Sequence, residues 1–284
     1  MASHPVRIGL KLAPHNTTVE QLRGVWQVAD EGGFDHVWDF DHFAPIFSDV
    51  KGPVFDGWML LGAMAEATKR VRIGNMVTGN TYRHPGVLAK MAATVDQLSG
   101  GRLEFGLGAA WAEVEHQMLG LEFPGVGERI RRLGEACEVV KRLWTESPAN
   151  FQGRYYTLTN AFCNPPPIQK PHPPIWIGGS GERKTLRVVA EHADVWNYAG
   201  GPVEEAKRLS GVLDQHCEAV GRDPAEIRRS VQYRLDPKDV KGTLRGLDRF
   251  VAAGFSELIV NLSGADAVRN AELAAQEILP RFRD

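Results

Sequence analysis

Residues 71–108, VRIGNMVTGNTYRHPGVLAKMAATVDQLSGGRLEFGLG, hold the unit from which the fold is read. An apolar run at 71–77 gives way to a segment whose apolar positions Val87, Leu88, Met91, Val95 and Leu98 recur at helical spacing, and a second apolar run follows at 102–108. That order is a strand, an amphipathic helix and a second strand. The helix carries the chain back over the sheet, so the two strands are predicted to be parallel. Gly100 and Gly101 stand where the helix must end and the chain reverse, a place that favours residues able to take positive φ without a Cβ clash.

The same alternation repeats on both sides. Strands are predicted at 6–12, 36–40, 71–77, 102–108, 175–178, 194–198, 229–233 and 257–262. Between them lie one-sided helical stripes such as Leu22, Val25, Trp26 and Ala29, and Leu186, Val189, Ala190 and Ala193. Eight such units favour an α/β fold closed into a (β/α)8 TIM barrel, for which 284 residues suffice as a single domain, 1–284. Residues 147–174, with Gly153, Tyr155, Tyr156 and two proline clusters, are too long for a simple connection. They are predicted to be an insertion before the fifth strand, near the site, with room for a small hairpin.

Apolar residues make up 43% of the chain and charged ones 24%, with 33 basic against 35 acidic residues and a net charge of −2. This is ordinary globular usage, and nothing in it recruits nucleic acid or an anionic membrane. Met1 to Pro5 carry no basic segment leading into an apolar run, and no stretch is long enough to span a bilayer, so a cytoplasmic protein is expected. Cys137, Cys163 and Cys217 lack metal-ligand spacing and suit reduced thiols. No His-Glu-x-x-His, His-x-His pair after the first strand or Gly-x-Ser-x-Gly appears, so no metal site or hydrolase nucleophile is predicted.

In a barrel of this type chemistry collects at the carboxyl ends of the strands. Those ends bring His15, Asp41 and His42, Thr78 and Asn80, Ala109 and Trp111, Gly179 to Gly181, Asn197, Arg234 and Asn261 to one face. Asp41-His42 offers either a proton relay with its orienting carboxylate or a capped turn with a satisfied imidazole. Gly178-Gly179-Ser180-Gly181, predicted to precede a helix beginning at Glu182, is either a phosphate cradle or a plain glycine turn. The glycines of Gly106-Leu107-Gly108-Ala109-Ala110-Trp111 keep a strand end slim for a flat ring, while Trp111 either stacks on a ligand or packs beneath the next helix. Lys11 interrupts an apolar strand and alternation turns it into the barrel, unless the register is shifted and it lies in solvent.

These residues resemble those of the luciferase-like monooxygenase family, and more closely its deazaflavin branch, which uses coenzyme F420. The resemblance covers nearly the whole chain and rests on Gly33-Phe34-Asp35-His36-Val37-Trp38 with Asp41-His42-Phe43, on residues 72–79 with Tyr82-Arg83-His84-Pro85, on Leu98-Ser99-Gly100-Gly101-Arg102, and on residues 174–181. It implies a bulge at the end of the third strand with a non-proline cis peptide, expected at Asn75-Met76. It further implies that Asp41, Asn75, Met76, Thr78 and Ala109 line the cofactor ring, that Gly178, Gly179, Ser180 and Gly181 lie by its phosphate, and that His42 is catalytic.

The implied activity is hydride transfer between F420 and a small organic substrate held near Lys11, Ile46 and Trp111. The glucose 6-phosphate dehydrogenases of this branch have tryptophan where Ile46 stands and a catalytic glutamate where Trp111 stands. The loop Ala199-Gly200-Gly201-Pro202 has no lysine for a sugar phosphate, so glucose 6-phosphate is not the expected substrate. An FMN-dependent monooxygenase and a non-catalytic flavin-binding protein are the alternatives. Family members are usually homodimers, and residues 55–61 supply either that surface or a buried core helix.

Overall fold

The computed structural model describes residues 4–264 and 266–283; residues 1–3, part of the segment in which no leader is expected, lie outside them. In chain order the strands are β1 (Arg7–Leu12), β2 (His36–Asp41), β3 (Arg72–Gly79), β4 (Leu103–Gly108), β5 (Ala149–Gln152), β6 (Thr157–Ala161), β7 (Ile175–Gly178), β8 (Val195–Tyr198), β9 (Arg228–Arg234) and β10 (Glu257–Leu262). Eight of them close a parallel barrel in the order β1-β10-β9-β8-β7-β4-β3-β2, as the alternation predicts. The helices α1 (Val19–Glu31), α2 (Gly57–Ala67), α3 (Pro85–Leu98), α4 (Glu113–Leu119), α5 (Val126–Thr145), α6 (Thr185–His192), α7 (Val203–Val220), α8 (Val240–Ala252) and α9 (Ala267–Leu273) surround it.

Local chemistry sets the helix starts. Thr18 accepts from the Gln21 N–H, Asp56 from the Met59 N–H, and His84 from the Gly86 N–H with Pro85 behind it, so three amino-terminal turns find acceptors for otherwise orphaned donors. The outward faces of the strands, including Ile8, Leu10, Ile73 and Leu107, pack with helix stripes into one large core. The inward faces fill the barrel with a second cluster of Trp38, Met76, Trp176, Val195 and Ile259. At the amino-terminal end, buried Glu104 and Glu257 pair with Arg7, Arg72 and Arg228. There the Trp38 indole donates to His36 Nδ1 at 2.6 Å, which leaves Nε2 as the nitrogen that donates to Glu257.

The insertion is a hairpin of β5 and β6 followed by a proline-rich return. Glu135 on α5 accepts from the N–H groups of Arg154, Tyr155 and Tyr156, which fixes the hairpin turn. The turn lies beside the first residues of α3 and α5: Tyr156 packs edge-on to His84, and the Tyr155 hydroxyl accepts from Arg131 Nε. On the return, Asp96 accepts from the Ile168 and Gln169 N–H groups. Residues 55–61 divide: Trp58, Leu60 and Leu61 are buried in the core, whereas Met59 is 76% exposed. Among the described residues no helix is long and apolar enough to cross a membrane.

Two expectations are corrected. The β2–β3 register moves from Asp39 opposite Asn75 to Asp41 opposite Thr78, and the non-proline cis peptide is Met76-Val77, not Asn75-Met76. Asn75 still holds its regular place opposite Asp39, so the extra residue is absorbed beyond Met76. The helix after the glycine turn begins at Thr185, not Glu182. Glu182 is drawn away by Arg208 on its side chain and His216 on its carbonyl, and Leu186 N–H reaches back to Gly181 O.

Candidate active site

His42 leaves β2 at the carboxyl end of the barrel, and its nearest polar partner is Glu115 on α4. The ring Nδ1 lies 3.0 Å from both Glu115 carboxylate oxygens, and the same carboxylate accepts from the Phe43 N–H, the Ala44 N–H and the Tyr82 hydroxyl. Burial pushes the Glu115 carboxyl up, but hydrogen bonds from His42 and Tyr82 outweigh it and hold the group below the ordinary carboxylate range. An ionised carboxylate only accepts, so Nδ1 carries a proton, and in the neutral ring Nε2 is the nitrogen that offers a lone pair. Nε2 has no partner among the described residues. Burial and that same Glu115 bond push the Tyr82 phenol well up, which keeps it a donor.

A floor of glycines lies nearby. Val77, the residue after the cis bond, spreads its methyl groups over Gly106, Gly108 and Gly178, and a Cβ on Gly106 would stand 2.0 Å from the Asn75 carbonyl oxygen. β4 could not carry side chains at Gly106 and Gly108 with the bulge in place, whereas at Gly178 on β7 a Cβ would meet the Val77 methyls in ordinary contact. Beyond the floor Gly179 takes a φ of 133°, and the N–H groups of Ser180 and Gly181 make no hydrogen bond among the described residues. These features fit a flat ring with an anionic tail: a smooth wall at one end and free donors at the other.

The remaining predicted site residues divide. Asp41 is buried and bound by Arg83, at 2.5 and 3.2 Å, and Arg83 continues to Asp56. Burial raises the Asp41 carboxyl and Arg83 only partly offsets it. Thr78 turns toward α2, where its hydroxyl accepts from the Trp58 indole at 2.9 Å. Asn75 also faces the start of α2, with its side-chain nitrogen and oxygen both unpaired. Met76 points down into the barrel cluster. The Ala109 carbonyl accepts from Arg129.

Lys11 does point into the barrel, donating to the Met76 carbonyl and to Gln232, and burial lowers its amine to about 8. Ile46 is half-buried in the loop after β2. Trp111 is 54% exposed, meets the His42 ring edge-on at 5.7 Å and stacks on Phe47 at 5.5 Å.

The profile of the luciferase-like monooxygenases matches residues 3–235. This chain belongs to that family. It is 28% identical to the F420-dependent glucose-6-phosphate dehydrogenase of Microbacterium testaceum over 98% of each chain. It is 34% identical to the enzyme of the same name from Nakamurella multipartita over 83% of this chain and 69% of that one. Among solved structures, an F420-dependent secondary alcohol dehydrogenase in complex with an F420-acetone adduct superposes with a TM-score of 0.88 at 22% identity, covering 99% of this chain and all of that one.

Glu115 and Phe47 were not singled out from the sequence, and Val77, Tyr82 and Arg83 only as family positions. One signal for Glu115 is present. Ala112, Glu115 and His116 stand at i, i+3 and i+4, the inward spacing of a helix, and two of those three places carry polar residues.

Proposed function

We propose that this family member is a coenzyme F420-dependent oxidoreductase acting on a small organic substrate, and the observation that carries the reading is the His42–Glu115 pair beside the glycine floor. When bound, the deazaflavin supplies two-electron hydride chemistry with little oxygen reactivity. Val77, Ala109 and the glycines would hold its ring, and the Ser180 and Gly181 N–H groups would supply donors for its phosphate. His42 Nε2 takes the proton from a substrate hydroxyl, or returns it in the reverse direction. Glu115 keeps the ring in the tautomer that can do so and stabilises the imidazolium that forms. Trp111 covers the histidine and limits water.

Glucose 6-phosphate is a poor fit, because the cations near His42 are already spent: Arg83 on Asp41 and Asp56, and Arg129 on the Ala109 and Pro124 carbonyls. A cytoplasmic homodimer is the proposed form; Met59 on α2 and Val87 on α3, exposed on contacting helices, support that face as the contact.

Parallel titration of the purified protein with F420 and with FMN tests the reading. Tight F420 binding, followed by oxygen-independent hydride transfer that His42→Ala abolishes, is the expected result. Preference for FMN with oxygen consumption replaces it by the monooxygenase reading, and an activity indifferent to His42→Ala removes the catalytic role.

A further inference from the structure

We propose that the surface around His42 takes an alcohol or carbonyl compound with an extended apolar body, gripped along Phe47 and Trp111; the chemistry rests on the hydride-transfer reading above, and the grip on the geometry alone. Phe47 is 91% exposed and sits at a φ of 59°, a region that a bulky aromatic residue rarely enters. Ala110, at a φ of 58°, turns the chain immediately before Trp111 in the same uncommon way. Two separate loops thus hold left-handed backbone at the points where they present an aromatic ring to solvent. Such conformations persist where function and the surroundings hold them, and the rings gain little from the core in return.

The two rings stack at an interplanar angle of 18°, and Trp111 borders the His42 ring. A carbinol hydroxyl at Nε2 therefore places the rest of its molecule beside the aromatic pair. α4, which begins two residues after Trp111, exposes further apolar side chains. That helix turns Glu115 and His116 inward and leaves Val114 and Met118, one turn apart, exposed. A single short helix thus holds Glu115 on His42 with one side and exposes apolar side chains on the other.

Charge argues in the same direction. Lys11 is held by the Met76 carbonyl and Gln232, and Arg83 by two carboxylates. Arg234 is exposed without a partner among the described residues, but it ends β9, three strands round the barrel from β2. A phosphorylated sugar would have to reach Arg234 while turning its hydroxyls toward Phe47 and Trp111.

The test is a homologous series from 2-propanol to 2-octanol, with kcat/KM measured anaerobically with F420 for the natural chain and for Phe47→Ser and Trp111→Ser. A methylene moved into apolar contact strengthens binding about fourfold at best, so kcat/KM should climb by up to that factor per carbon and flatten in both variants. The exposure of both rings predicts that circular dichroism and the F420 dissociation constant do not change.

An unaltered chain-length dependence overturns the proposal, as does turnover of glucose 6-phosphate that Arg234→Ala removes. Variants that change only the sedimentation coefficient overturn it too, by making the aromatic pair a contact between copies. If F420 does not bind, the cofactor reading fails separately. Calorimetric titration of the same alcohols into the protein alone then decides the grip, with the same flattening expected in the variants and its absence overturning the proposal.

Discussion

Replacing Glu115 by Gln removes one charge and almost no volume, so its effect can be worked out atom by atom. Oε1 accepts from the Phe43 and Ala44 N–H groups at 3.1 Å, and a glutamine oxygen can keep both bonds. The amide nitrogen then falls near Oε2, facing the Tyr82 hydroxyl and His42 Nδ1. An amide N–H must donate, and Nδ1 meets it best as an acceptor, which moves the ring proton to Nε2. The face offered to the substrate changes from a base to a donor.

General-base assistance contributes about 10²- to 10⁴-fold, so kcat for alcohol oxidation should fall within that range. KM and F420 affinity should hold, because Glu115 reaches the substrate only through His42. Loss of charge-assisted bonds should also lower folding stability by about 1–3 kcal/mol. Anaerobic single-turnover kinetics give the first quantity. Nitrogen-15 spectra of the histidines report which ring nitrogen of His42 bears the proton, with no substrate present. A variant with natural kcat refutes the argument, and so does a slow variant whose proton stays on Nδ1.

Four further substitutions probe the rest of the barrel. Tyr82→Phe removes one donor to Glu115 and should reduce kcat by about tenfold while leaving KM alone, read from the same kinetics. Gly106→Ala drives a Cβ against the Asn75 carbonyl and should cost about 1–3 kcal/mol or more in urea unfolding, with weaker F420 binding as the bulge shifts. Glu104→Gln leaves Arg7 and Arg72 facing a neutral partner at the amino-terminal end, a loss of about 3 kcal/mol. Burial raises the Glu104 carboxyl but the arginines lower it further, so the natural chain's advantage is present above about pH 4.5 and fades as pH falls through the lowered value. Asp39→Asn should act in the opposite sense. Burial, with Asp41 adding, raises the Asp39 carboxyl well above the ordinary range, so the natural chain is penalised as pH rises above about 4. Urea midpoints at pH 5 and pH 8 should show the variant's gain growing with pH.

The barrel was legible because its signal is repeated and local. Each strand is a short apolar run and each helix a stripe, and the predicted strands depart from the observed ones by only one or two residues at their ends. The β3 end ran furthest past expectation, to Gly79, because the bulge at Met76-Val77 lets pairing resume at Thr78, and no period of two contains that extra residue. The site was legible only in part. Asp41 and His42 could be placed because a strand end positions them, but the carboxylate that meets His42 Nδ1 lies 73 residues away in the chain.

Glu115 sits on a helix of seven residues, too short for its period to speak clearly, and beside Val114 and Met118, whose apolar character suggests a core they do not enter. Trp111 poses the same difficulty, since an aromatic residue after a strand reads equally as packing and as contact. The proposal of contact rests on a backbone turned to positive φ at Ala110 and a second exposed ring, Phe47, brought from another loop to meet it. Function in this fold is assembled from loop conformations, and those depend on contacts between residues far apart in sequence. A one-dimensional pattern therefore gives the scaffold before it gives the chemistry.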